Sequence, residues 1–282
     1  MRFVKGHGTE NDFVILPDPD GVLELSATSI AALCDRRSGI GADGVLRVVP
    51  VKLSAEASEI IARARREAGY TGDAEWFMDY RNADGGMAEM CGNGLRVFAR
   101  YLAEAGLADP AGFDVVTRAG VRPVSIAPDG MVTVDMGPPL VKGESWTTVA
   151  GTHYTGLVVD MGNPHLACLT GEPVARLDLG AHPGFDPAVF PTGVNVEIVN
   201  PVGERRVVMR VHERGSGETR SCGTGAVASA VAAAHAAGET TGTWTVEVLG
   251  GLLTVTLTPQ TSLLTGPAVL VASGDHPATT LI

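Results

Sequence analysis

Cys91-Gly-Asn-Gly94 leads into Leu95-Arg-Val-Phe-Ala-Arg-Tyr-Leu-Ala-Glu-Ala-Gly-Leu107, and Cys222-Gly-Thr-Gly225 leads into Ala226-Val-Ala-Ser-Ala-Val-Ala-Ala-Ala-His-Ala-Ala-Gly238. Each is a Cys-Gly-x-Gly loop followed by apolar residues at helical spacing. The two cysteines stand 131 residues apart in a chain of 282, and the same interval separates Asn82 from Glu213 and Gly120 from Gly251. One such loop would be weak evidence. Two in register, with flanking similarity, indicate duplicated halves. The second helix is apolar on every face, interrupted only by Ser229 and His235, so it must be buried all round. The expectation is an α/β (α+β) fold of two pseudo-symmetric domains, each a curved, mostly antiparallel sheet wrapped around a central helix. The domains are expected at 1–135 plus 265–282 and at 136–264, with one Cys-Gly-x-Gly helix in each.

Outward from these loops, strands are expected at Arg2–Lys5, Asp12–Leu16, Val45–Val49 and Trp76–Tyr80, with a short helix at Ser29–Asp35. Residues 52–69, rich in Ala, Glu and Arg, read equally as a helix or as a solvated insertion.

Composition removes several function classes. Twenty-one Lys plus Arg against 32 Asp plus Glu give a charge of −11, a poor match for nucleic acid or an anionic membrane. No apolar run approaches the ~18 residues of a membrane span, and Met1-Arg-Phe-Val-Lys-Gly6 does not read as a signal peptide. Four cysteines without a CxxC pair fit neither a disulfide scaffold nor a zinc ribbon. The expectation is a soluble cytoplasmic protein with free thiols.

A cysteine ahead of Gly-x-Gly at a helix start lies beside N–H groups that lack intrahelical acceptors. The helix dipole there favours a thiolate, and the same N–H groups can hold a carboxylate. Two such units would place a thiol on each side of one anion-binding cleft. Inverting a carbon by proton transfer needs that arrangement: a base on one face, an acid on the other, with roles exchanging when the reaction reverses. No phosphate-binding lysine motif or metal-ligand cluster calls for a cofactor or a metal.

Six blocks then resemble one family, the diaminopimelate epimerases: Lys5-Gly-His-Gly-Thr-Glu-Asn-Asp-Phe13, Arg81-Asn-Ala-Asp-Gly85, Met90-Cys-Gly-Asn-Gly94, Met161-Gly-Asn-Pro-His165, Gly193-Val-Asn195 and His212-Glu-Arg-Gly-Ser-Gly-Glu-Thr-Arg-Ser-Cys-Gly-Thr-Gly225. The resemblance implies a cofactor-independent isomerase that interconverts LL- and meso-diaminopimelate for lysine and peptidoglycan-precursor synthesis, as a cytoplasmic homodimer. It implies Cys91 as proton donor and Cys222 as acceptor, exchanging in reverse. Gly92, Asn93, Gly223 and Thr224 would bind the reacting carboxylate. Asn11, Asn82, Asn163, Asn195 and Arg214 would hold the distal end, Glu213 would accept from an ammonium group, and His165 with Glu213 would tune the thiols.

Two positions depart from the family's usual pattern. Glu10 stands where many members have glycine, and Gly44 where many have glutamine. The stretch 52–75 is also longer than usual. Cys34 and Cys168, without glycine neighbours, read as buried structural thiols. A proline racemase or hydroxyproline epimerase would show histidine at the place of Asn93 and would lack the Asn-Asp-Phe opening. A non-catalytic amino-acid binder would have no use for two thiols.

Overall fold

The computed structural model describes residues 1–277. The chain divides into two compact units, one formed by Met1–Val134 with the segment returning from Pro267, the other by Asp135–Gly266. The expected first domain ran to 282; residues 278–282 lie outside the described residues. No helix among the described residues is long and apolar enough to cross a membrane.

In the first unit, strands β1 (Arg2–Gly8), β2 (Asn11–Pro17), β3 (Gly44–Pro50), β4 (Trp76–Asn82), β5 (Phe113–Thr117), β6 (Gly120–Ile126) and the first three residues of β7 (Val132–Gly137) lie side by side in that order. The returning strand Val269–Asp275 completes the sheet against β1, antiparallel, with Arg2 opposite Asp275. Two pairs, β2–β3 and β4–β5, are parallel; each other pair is antiparallel. Parallel neighbours need a crossover, and helices supply it: α1 (Ala27–Cys34) between β2 and β3, α3 (Gly92–Glu104) between β4 and β5. The sheet curls round α3, which touches β1, β2, β3, β4, β6 and the returning strand. Gly92 to Ala99 and Leu102 are buried there.

Helix α2 (Ala55–Ala68) resolves the stretch that read two ways. Ser54 caps it by accepting from the N–H of Ala57, and Gly69 ends it at φ 64°, the left-handed stop that glycine adopts without a Cβ penalty. Ala57, Ile60 and Ile61 bury against Val49, Phe77 and Val116, while its charged residues stay in solvent.

The second unit repeats the plan. Strands β8 (Leu140–Val149), β9 (Thr152–Asp160), β10 (Pro164–Leu169), β12 (Asn195–Gly203), β13 (Arg206–Glu213), β15 (Gly242–Val248), β16 (Gly251–Leu257) and β17 (Ser262–Gly266) follow one another across the sheet, with short β11 (Gly184–Phe185) on β8 and β14 (Gly217–Thr219) on β13. The parallel pairs are again the third and the fifth, β10–β12 and β13–β15. The same order of antiparallel and parallel pairings in both units is the structural form of the sequence repeat. Helix α4 (Gly223–Ala236) fills the curl, buried from Gly223 to Ala234. The hydroxyl of Ser229, in the middle of the helix, is satisfied by the carbonyl of Gly225 at 2.8 Å.

Candidate active site

Both Cys-Gly-x-Gly loops fold alike. Cys91 caps α3 with extended backbone (φ −135°, ψ 122°), and its Sγ accepts from the N–H of Gly94 at 3.4 Å. Cys222 caps α4 at φ −124°, ψ 120°, with Sγ accepting from Gly225 at the same 3.4 Å. A sulfur in that position faces the positive end of the helix and its first-turn N–H groups.

Around Cys91, the turn between β1 and β2 supplies the polar partners. The Asn93 amide donates to Asn11 Oδ1 at 3.2 Å, and the Cys91 sulfur lies 3.6 Å from that same oxygen. Asn11 is oriented from behind, its amide donating to Asp43 at 2.7 Å. Arg36 bridges Asp43 and Asp12, and Lys5 also pairs with Asp12. Burial alone would raise the Asp12 carboxyl, but hydrogen bonds from Arg36 and Lys5 hold it well below the usual carboxylate range. Asn82 ends β4 opposite Gly44 and is exposed.

The two departures from the family pattern both fall at constrained backbone positions. Gly8 pairs with Asn11, and the two residues of the turn, Thr9 and Glu10, sit at φ 50° and 63°. Both central residues at positive φ is the type I′ geometry that suits a tight hairpin and favours glycine. At Gly44 a Cβ would come within 2.6 Å of the Arg81 carbonyl oxygen, so a glutamine there would require β4 to move.

Around Cys222 the surroundings are acidic. Its sulfur lies 3.5 Å from Thr224 Oγ1. Burial pushes the thiol well above its ordinary range, and the carboxylates of Glu213 and Glu197 push further in the same direction. Glu213 is itself raised by burial, with Thr219 and Cys222 bonding to it. His165 lies fully buried, its Nδ1 2.7 Å from Glu197 Oε1 and its Nε2 3.1 Å from Asn163 Oδ1. Asn195, opposite His165 in the parallel register, donates to the Pro164 carbonyl and accepts from the backbone N–H of Arg214, both at 2.9 Å. The Arg214 guanidinium rests on Thr192, over Gly193.

The second unit therefore gathers Cys222, Gly223, Thr224, Glu213, His165, Asn163, Asn195 and Arg214, and the first gathers Cys91, Gly92, Asn93 and Asn11. Sequence reasoning missed two charged residues. Glu197 is fully buried, raised by burial against the pull of His165, and fills the space that a Cβ on Gly225 would need, 2.6 Å away. Its only sequence signal is an acid inside the apolar run Val194 to Val199. Arg96, fully buried on α3, carries a similar signal between Leu95 and Val97. Cys34 and Cys168 are buried thiols raised to about 11 and about 12 by burial. Among the described residues, no cluster of three or more His, Cys, Asp and Glu side chains is placed to hold a metal.

Comparison with known proteins bears on these pieces. The family model for diaminopimelate epimerase matches residues 3–141 and 157–271, leaving out only the outer part of the β8–β9 hairpin and the chain's two ends. The diaminopimelate epimerase of Thermobifida fusca is 56% identical over 275 residues, covering 98% of this chain and 97% of that one. That of Rhodococcus opacus is 53% identical over 283 residues, covering 98% and 96%. Among solved structures, a hydroxyproline epimerase from Agrobacterium vitis with bound trans-4-hydroxy-L-proline superposes with a TM-score of 0.65 at 15% identity, covering 97% of this chain and 91% of the other; at that distance the likeness speaks for a common fold alone. With a match across both units and more than half of all residues shared with named members, the chain belongs to the diaminopimelate epimerase family.

Proposed function

We propose that the chain interconverts LL- and meso-2,6-diaminopimelate by a two-base reaction at Cys91 and Cys222, serving lysine and peptidoglycan-precursor synthesis. The observation that carries this reading is the repeated cap: two cysteines, each on a helix start, each sulfur 3.4 Å from the N–H three residues on. One thiolate removes the α-proton from one face of the carbon. The other thiol delivers a proton to the opposite face, and the roles are then reversed. The proton balance closes within the two thiols: the carbon gives one proton to the thiolate and takes one from the thiol. The electron pair left on carbon spreads into the adjacent carboxylate. The N–H groups of Gly92–Asn93 and Gly223–Thr224 are the donors for that growing charge, preorganised where water would have to reorient.

Asn11, Asn82, Asn163, Asn195 and Arg214 are assigned to the distal amino-acid end, where a guanidinium can grip a carboxylate through two hydrogen bonds. Glu213 is assigned to a substrate ammonium group, and His165 with Glu213 to tuning of the thiols. A homodimer and a cytoplasmic location are part of the same reading, since unpaired thiols persist in a reducing compartment; sedimentation of the purified protein checks the former.

Proton NMR in D₂O under reducing conditions, with LL-diaminopimelate and no added cofactor, tests the activity. The expected result is deuterium at one α-position as the meso isomer appears, lost in both Cys91→Ala and Cys222→Ala with the fold retained. Full exchange by either folded variant would overturn the two-base mechanism, and no exchange by the reduced wild type would overturn the activity.

A further inference from the structure

Glu197 and His165 stand on the neighbouring parallel strands β12 and β10, both fully buried. Glu197 Oε1 lies 2.7 Å from His165 Nδ1. Gly225 leaves room for that oxygen, since a Cβ there would come within 2.6 Å of it. The second carboxyl oxygen, Oε2, is buried without a hydrogen-bond partner. On the far side of the imidazole, Nε2 lies 3.1 Å from Asn163 Oδ1. Asn163 itself is half-buried, in the turn between β9 and β10. The three side chains thus form a relay from the core to the surface.

Burial decides where the hydrogens of this relay sit. A carboxylate beside an imidazolium carries no net charge, and neither does a carboxylic acid donating to a neutral imidazole. A carboxylate accepting from a neutral imidazole would leave a buried negative charge with Oε2 unpaired, which is strongly unfavourable. Among the described residues, the other cation-forming side chains on elements packed against β12 are engaged elsewhere or lie in solvent. Arg206 pairs with Glu247 and Arg210 with Glu218, His212 donates from Nδ1 to the Leu179 carbonyl, and Arg176 and His235 are exposed. The remaining ionisable groups there, Cys168, Cys222 and Glu213, are never positive. Both arrangements without net charge place a hydrogen on His165 Nε2. That nitrogen therefore donates to Asn163 Oδ1, and the Asn163 amide nitrogen, a donor only, is the end turned away from the core.

We infer that Glu197 is a positioning residue: by keeping a hydrogen on His165 Nε2 it fixes the Asn163 amide with its NH₂ outward, so that this position takes a carboxylate and turns away an ammonium group. The inference rests on the reading that places Asn163 at the distal end of the substrate. That end carries one group of each kind, and an amide free to flip would serve either. The buried acid removes the choice.

The imidazole nitrogen resonances of the full-length protein, labelled with ¹⁵N-histidine, test this without substrate, His165 being assigned by its loss in His165→Gln. Nε2 is expected to carry a hydrogen at pH 7, and a bare Nε2 would overturn the inference. Glu197→Leu should mix the two tautomers and raise KM for LL-diaminopimelate about tenfold, with a smaller change in kcat. A folded variant that keeps either the wild-type KM or a fully protonated Nε2 would also overturn it. Asn163→Asp sets an acceptor where the NH₂ stood, and KM should rise at least about tenfold; an unchanged or lowered KM, the mark of an ammonium partner, would count against the inference decisively. If Glu197→Leu does not fold, the wild-type spectrum and Asn163→Asp decide. A protonated Nε2 in a protein that exchanges no α-deuterium into diaminopimelate would sink the proposed activity and leave the Glu197 relay standing.

Discussion

Glu10 occupies a backbone position made for glycine. A non-glycine residue in the left-handed region costs about 1–2 kcal/mol, part of which glycine would return through its freer unfolded chain, about 0.4–1 kcal/mol. Glu10→Gly is therefore expected to stabilise the protein by up to about 1 kcal/mol, read as a raised urea midpoint with an unchanged slope. The break between the first two strands was legible in the sequence, since strands are expected at Arg2–Lys5 and Asp12–Leu16; the handedness of the turn was not, because Thr9 and Glu10 give no turn signal. The reactive pair was legible because cysteine, glycine and helix start coincide twice. Arg96 and Glu197 were not, because a charged residue at helical or strand spacing reads as solvent-facing until the sheets that bury it are in place. Glu197 shows the difference most clearly. Its neighbours along the strand suggest burial, but only the parallel pairing of β10 with β12 puts His165 against it.

Among the elements, α4 was the easiest to read and α2 the hardest. A helix of alanine and valine with no polar face has one stable environment, the inside of a curled sheet. Alanine predominates because strands pack against it from several directions. Ala228→Leu, at a fully buried site, should force side chains off their rotamers and cost about 1–3 kcal/mol. Ala236→Leu, on the exposed last turn, should stay within about 0.5 kcal/mol of the wild type. Equal losses at both sites in denaturant unfolding would contradict this account. In α2 the apolar stripe is only Ala57, Ile60 and Ile61. Its order depends on a small tertiary cluster with Phe77 and Val116, which the local sequence does not reveal.

At the scale of the whole molecule, three buried thiols make stability fall in alkali. Burial raises Cys34 to about 11, Cys168 to about 12 and Cys222 well above its ordinary range. The unfolded chain releases these protons near pH 8.5 while the folded chain keeps them, so the folded state binds more protons across that window. Their contribution is complete below about pH 8.5 and is lost as pH rises, at about 1.4 kcal/mol per pH unit for each thiol. Urea unfolding between pH 8.5 and 10 should show that loss. A Cys34→Ala/Cys168→Ala variant should show less of it, with turnover nearly unchanged.

The returning strand Val269–Asp275 carries a consequence for how the protein is made. The first unit contains the first residues of the chain, yet β1 gains its outer neighbour only when residues 269–275 arrive. The Arg96 and Arg100 side chains likewise wait for the carbonyls of Pro267 and Ala268. The second unit is one uninterrupted stretch, Asp135–Gly266, translated in full before that strand exists. On the ribosome the half written first is thus the half finished last. Until then the nascent chain holds an open sheet edge at β1, the kind of edge that pairs with other chains. Chaperone engagement of nascent chains stalled before and after residue 275 would register its closure.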